Sequence, residues 1–234
     1  MATSHDKQPR VAEFKRQWRS CSRFLILLLP LVSLSCGDES VDKKTVIASG
    51  PVFSGSESVT DTRLLPLGKQ FLESLKTNDV QQFVDCWVSV EQTMQILKSD
   101  QGIDWTPDVS AHYRQHCELE AELVEIYYSI YRSALREHAG RLEEVTLARV
   151  ETTSDLQPVL VFARLPNQTL LSFDIEGAAE VDGRWKFCGQ PTSLLKITCT
   201  EDGIAEMAFA EPTTAQQHED LERVLGAIDE FYEH

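Results

Sequence analysis

The residues best suited to chemistry in this 234-residue chain are two histidines and a glutamate spaced four positions apart. His112, His116 and Glu120 share one face of a predicted helix, because residues at i and i+4 are neighbours there. Imidazoles at this spacing can chelate Zn²⁺. The chain lacks the glutamate of a catalytic His-Glu-x-x-His motif, since Tyr113 follows His112. Hydrated side chains at the polar start of a helix are the alternative, and we predict neither a metal site nor a cofactor.

The amino-terminal segment has the pattern of a secretory signal. Basic residues up to Arg23 precede an apolar run over residues 24–35. A membrane-spanning helix needs about 20 apolar residues, so this run is too short, and it also contains Pro30. Its end, Val-Ser-Leu-Ser-Cys over residues 32–36, resembles the lipobox of bacterial lipoproteins. The alternative is an ordinary secretory signal followed by an unrelated cysteine.

The lipobox resemblance implies a membrane anchor. It implies removal of residues 1–35 as a signal peptide and lipidation of Cys36, which would tie the chain to the cell envelope. Because Gly37 rather than Asp follows the cysteine, the resemblance implies the outer membrane, with the domain facing the periplasm. Residues 36–62, rich in Ser, Gly, Thr and Asp, predict a flexible tether that reaches about 30 Å.

Four further cysteines lie beyond Cys21 and Cys36. An even number in an exported chain permits two disulfides. We predict Cys86–Cys117, which lie on neighbouring predicted helices, and Cys188–Cys199, which flank a short connection between adjacent predicted strands. The alternative is that all four are buried free thiols in apolar surroundings. Nothing indicates the base that a nucleophilic cysteine needs.

Beyond the signal the chain is strongly acidic. The net charge is −15, and the first 36 residues hold six basic and two acidic residues, so the remainder carries −19. Such a surface repels phosphate backbones, which excludes nucleic acid as an expected partner. A soluble, charge-repelled surface or a basic partner is consistent with this charge.

Apolar periodicity predicts one α+β domain over residues 63–234. Helices are predicted over residues 64–97, with a break at Asn78-Asp79, and from Ser110 to about His138. Tyr127 and Tyr131 fall on the apolar stripe of the helix predicted from Ser110 to about His138, where they are core residues or line a pocket. A final helix is predicted over 215–232, and we expect its apolar stripe to pack on the domain's own sheet, with a partner subunit or a third protein as alternatives.

An antiparallel sheet is predicted over residues 142–199. Asp182-Gly183 between two extended runs predicts a tight hairpin, since both central residues of a type I′ turn need positive φ. Alternation of Leu171, Phe173 and Ile175 with polar residues indicates one dry face. The five predicted strands are 145–150, 159–165, 169–181, 184–188 and 193–199.

This order of helices followed by an antiparallel meander resembles the cystatin-like group, in particular the nuclear transport factor-like cone fold. The residues that carry the resemblance are the helix pair over 64–87 and the closing hairpin over 182–187. Some enzymes of the cone fold use carboxylates in the cavity, which implies Asp85 and Asp174 as candidates for acid/base catalysis.

Three functions are consistent with these features. The first is a non-enzymatic, lipid-anchored module that binds a protein partner or a small apolar ligand. The second is a cone-fold enzyme that acts on a small apolar substrate. The third is a scaffold that docks a partner through the last helix. We favour the first, because no catalytic motif is present.

Overall fold

The structure is a computed structural model that describes residues 59–99, 104–153, 156–198 and 205–233. The predicted signal, Cys36 and residues 37–58 of the predicted tether lie outside the described residues. The prediction that the tether extends to residue 62 is wrong, because Val59 and Thr60 pair with Thr152 and Glu151 as a strand. The helices are α1 (Leu65–Thr77), α2 (Val80–Val84), α3 (Val90–Lys98), α4 (Pro107–Ala139) and α5 (Ala215–Glu233). The strands are β1 (Val59–Thr60), β2 (Thr146–Thr152), β3 (Val159–Arg164), β4 (Leu170–Val181), β5 (Arg184–Thr198) and β6 (Ala205–Phe209). The predicted α+β class is confirmed.

Local sequence signals account for most helix ends. Asn78 adopts the left-handed conformation with φ 63° at the end of α1, and the Asp79 side chain accepts the N–H of Gln82 to begin α2. The predicted start of α4 at Ser110 is wrong, because Thr106 is the capping residue and Pro107 occupies the first turn. Proline lacks an N–H and is well suited to that position.

The sheet is a curved antiparallel meander whose strand order, β1 to β6, follows the chain. Asp182 and Gly183 have φ values of 52° and 76°, as the predicted hairpin requires. The prediction of separate strands over 184–188 and 193–199 is wrong, because β5 continues through both. Two strands, β1 and β6, were not predicted.

β5 remains one continuous strand because its pairing with β4 is irregular near the middle. Register shifts between Phe173 and Gly177 allow β4 to bend. Across from them Gly189 has φ 77°, and the Glu176 carboxylate accepts the N–H of Gln190 at 2.8 Å. A glycine followed closely by a proline usually indicates the end of a strand. Here Gly189 and Pro191 instead lie within a bent strand.

Aromatic side chains fill the space between the helices and the sheet. Phe71 of α1 lies at the centre and contacts Phe83, Trp87, Tyr131, Phe173 and Phe187 at ring-centroid distances of 5.3–6.1 Å. Phe71, Phe83, Tyr131, Phe173 and Phe187 are fully buried, and Trp87 is 5% exposed. Several pairs meet edge to face, a geometry that aromatic rings prefer. The core is therefore a packed aromatic cluster.

The last helix packs on α4, which corrects the expectation that it would pack on the sheet. Val224 and Ile228 are fully buried, and the Gln217 side chain donates to Ser129 Oγ at 2.8 Å. Arg223 pairs with Glu122 further along α4. At 33 residues, α4 is about 50 Å long and can accommodate both the sheet and a second helix. None of the helices within the described residues has both the length and the apolar composition needed to cross a bilayer.

Candidate functional site

The two histidines whose spacing could chelate a metal ion instead pack against a phenylalanine. The rings of His112 and His116 stack on Phe231 of α5 at 4.1 and 4.2 Å, with interplanar angles of 17° and 15°. Two rings cannot occupy one face of Phe231 at that distance, so its ring separates the two imidazoles. His116 Nε2 lies 3.4 Å from Glu120 Oε1. Among the described residues no group of three His, Cys, Asp or Glu side chains is arranged to hold a metal ion.

The predicted Cys86–Cys117 disulfide is not formed, because both residues are buried free thiols. Cys86 lies just after α2, where its Sγ is 3.4 Å from the carbonyl oxygen of Gln82, so the side chain turns back onto its own helix. Burial raises the pKa of Cys86 and of Cys117 to about 12. A thiol with so high a pKa is a poor nucleophile at neutral pH.

The predicted Cys188–Cys199 disulfide is wrong, because Cys188 is not bonded to another cysteine. Cys188 is a buried free thiol, and burial raises the pKa of Cys188 far above its usual value. The prediction assumed a turn between two strands after Cys188, whereas β5 continues to Thr198. Cys199 lies outside the described residues.

The two carboxylates suggested by the cone-fold resemblance do not converge. Asp85 is exposed just after α2, where it accepts a hydrogen bond from the Gln81 side chain. Asp174 lies on the face of β4 opposite Phe173 and Ile175, because successive strand residues alternate between faces. Neither carboxylate therefore points into the aromatic cluster.

The tyrosines on α4 belong to the core. The Tyr131 hydroxyl donates to the carbonyl oxygen of Thr192 at 2.6 Å, and the Tyr128 hydroxyl donates to Asn78 Oδ1 at 3.1 Å. Complete burial raises the pKa of Tyr131 well above its usual value. Tyr127 is also buried, so these side chains tie α4 to its neighbours.

An open groove lies between α1 and the outer edge of β2. Its volume is about 820 Å³, within the usual size range of ligand pockets. One wall is a face of α1 and the preceding turn, and the other is the start of β2. The lining residues are Thr62, Leu65, Pro66, Lys69, Leu72, Glu73, Lys76, Val145, Thr146, Leu147 and Ala148.

Close packing of α1 on β2 determines the depth of this groove. A Cβ added at Gly68 would lie 2.5 Å from Val150 Cγ2, so only glycine allows the helix to lie so near the strand. Val145 and Leu72 are buried at the base of the groove. The floor is therefore apolar and closely packed.

Two lysines and one glutamate give the rim of the groove a net charge of +1. Lys69 is exposed and forms no ion pair within the described part of the chain, whereas Lys76 lies 3.4 Å from Glu73. The aliphatic stems of lysines can extend over apolar surface while the ammonium groups stay in water. The groove can therefore bind an apolar group that carries negative charge near Lys69.

Sequence reasoning missed this groove. The available signal was the spacing of Leu65, Lys69, Leu72 and Lys76 on one helix face, an apolar stripe bordered by lysines. That pattern does not reveal which strand lies beside the helix, nor that the outer side of this strand is unpaired over residues 146–149.

Comparison with known proteins gives no relative. No protein-family profile, no curated protein and no solved structure matches this chain. The function of the chain is therefore inferred from its sequence and its structure.

Proposed function

We propose that this chain is a lipid-anchored protein of the cell envelope that acts as a non-enzymatic binding module. The groove between α1 and β2 carries the proposal, because it is open, apolar at its base and bordered by lysines. The filled aromatic core supports a binding role rather than the cone-fold enzyme, since a cavity enzyme needs an interior space for its substrate.

The anchor follows from the amino-terminal sequence. Cleavage before Cys36 and attachment of diacylglycerol to its thiol through a thioether would give two acyl chains, each contributing about 0.8 kcal/mol per buried methylene. Together these chains hold a protein on a membrane durably. The part of the predicted tether that precedes β1, residues 36–58, then lets the domain reach partners at a distance of about 24–29 Å from the membrane surface.

The domain itself is proposed to belong to the cystatin-like group with the cone fold. The helix pair α1–α2, broken at Asn78, precedes an antiparallel meander closed by the hairpin at Asp182. Both features support this assignment, and the additional helix α5 distinguishes the chain from a minimal cone.

Metabolic labelling tests the anchor. In cells grown with radiolabelled palmitate, the wild-type chain should become labelled and the Cys36→Ser variant should not. Cys21→Ser is the matched control, because Cys21 precedes the predicted apolar run, and this variant should be labelled as strongly as the wild type. Labelling of Cys36→Ser at the wild-type level would rule out the anchor.

A further inference from the structure

The outer edge of β2 is largely unpaired. On this side β1 pairs only with Glu151 and Thr152, and the N–H of Asp61 donates to the carbonyl oxygen of Val150 at 3.0 Å. The chain then turns away into the helix that forms the groove wall. Within the described residues, no strand lies on the outer side of residues 146–149.

An unpaired strand edge presents N–H and C=O groups that can pair with another chain. Proteins use this property to bind peptides, which add a strand to the sheet and place alternate side chains in adjacent pockets. Here the open edge lies beside Leu65 and Leu72 of α1. The register of β2 against β3 shifts between Leu147 and Arg149, so an added strand would form backbone hydrogen bonds to β2 on either side of this bulge and pack side chains against the helix.

We propose that the groove binds an extended peptide segment of a partner protein, which adds to β2 as a strand in line with β1. This inference deepens the proposed binding function and rests on it. The segment carries apolar side chains, which meet Leu65 and Leu72, and at least one carboxylate within reach of Lys69 or Lys76. A lipid would cover the apolar floor but leave the backbone N–H and C=O groups on the outer side of β2 unpaired. A peptide can cover the floor and also form hydrogen bonds with these groups.

Charge determines which peptides fit. The body of the protein is strongly acidic, and it would repel an acidic segment at long range. At physiological ionic strength, however, charges further apart than about 8 Å are largely screened. The groove lining carries Lys69, Lys76 and Glu73, a net charge of +1, and because Glu73 pairs with Lys76, Lys69 is the side chain that favours a carboxylate.

Selection from a peptide library tests this proposal. The full chain, in detergent and immobilised, is exposed to a random library of displayed octapeptides. We expect the selected sequences to be enriched in β-branched and acidic residues. A selected peptide should slow hydrogen exchange of the backbone amides over residues 146–149. Selection of no such peptides would overturn the proposal.

Two controls isolate the charge and the backbone pairing. Lys69→Glu should weaken binding about tenfold, since it replaces an attraction to the peptide carboxylate with a repulsion. Lys98→Glu makes the same charge change at the exposed end of α3, outside the groove, and should leave affinity unchanged. Two methylated forms of the selected peptide are compared, one methylated at its odd-numbered and one at its even-numbered backbone nitrogens. Only one of these sets of N–H groups faces β2, so one form should lose binding and the other should keep it.

Three results would contradict strand addition: equal binding of both methylated peptides, equal effects of the two lysine variants, and binding of oleate in place of any peptide. Palmitate labelling at Cys36 is independent of the groove. If labelling succeeds and the peptide experiment fails, the lipid anchor stands and the assignment of the groove is wrong.

Discussion

At the scale of single residues, the buried thiols make the stability of this protein depend on alkaline pH. Burial raises the pKa of Cys86 and Cys117 to about 12 in the folded state, from a usual value of 9.0. Because the folded-state pKa is raised, each thiol stabilises the fold fully below about pH 9, and this contribution is lost as pH rises toward 12. The loss is at most about 1.4 kcal/mol per pH unit for each thiol.

We therefore predict that Cys86 and Cys117 resist alkylation in the folded protein. At pH 7.5 without reductant, iodoacetamide should modify both roughly a thousandfold more slowly than a thiol with an ordinary pKa. In urea both should react rapidly, as peptide mass spectrometry can measure residue by residue. Resistance in urea that disappears after reduction would instead show the disulfide predicted from the sequence.

At the scale of elements, the sequence predicted those whose signals are local. The break at Asn78 and the hairpin at Asp182-Gly183 each depend on residues within a few positions. The continuity of β5 could not be predicted, because it depends on Glu176 of the neighbouring strand. Two-residue strands such as β1 are too short to show any periodicity.

The candidate site shows the same limit. His112 and His116 were correctly placed on one helix, but the sequence could not show that Phe231, over a hundred residues later, would lie between them. The groove likewise depends on which strand forms the sheet edge. Contacts between distant segments are decided by the fold as a whole.

Phe231 should hold the end of α5 in place. We predict that Phe231→Ala lowers the free energy of unfolding by about 1–3 kcal/mol, less than the 3–5 expected for a fully buried ring, because Phe231 is half-buried. Urea denaturation measures this loss, and amide exchange over residues 226–233 should quicken. Glu230→Ala, at the exposed neighbouring position, should change the stability by less than about 0.5 kcal/mol.

If Phe231→Ala were as stable as Glu230→Ala, the contact with the two histidines would contribute little, and the end of α5 would be available to a partner. That outcome would favour the scaffold function considered from the sequence. The burial of Val224 and Ile228 against α4 leads us to expect the opposite.

At the scale of the whole molecule, repulsion between like charges opposes folding, because residues 37–234 carry a net charge of −19. Salt screens this repulsion, and the Debye length falls from about 30 Å at 0.01 M to about 3 Å at 1 M ionic strength. We therefore predict that the free energy of unfolding increases between 0.02 and about 0.5 M KCl, as measured by urea denaturation.

Salt also strengthens apolar burial, so the charge contribution needs a control. The double variant Glu118→Lys/Glu219→Lys changes two exposed residues on α4 and α5 and makes the net charge less negative by four. Its apolar surface is nearly unchanged, so any difference in salt dependence reports the charge. The variant should gain less stability from KCl than the wild type. Equal gains would mean that the negative charges are too far apart to oppose folding, and that the acidic surface matters only for solubility and choice of partner.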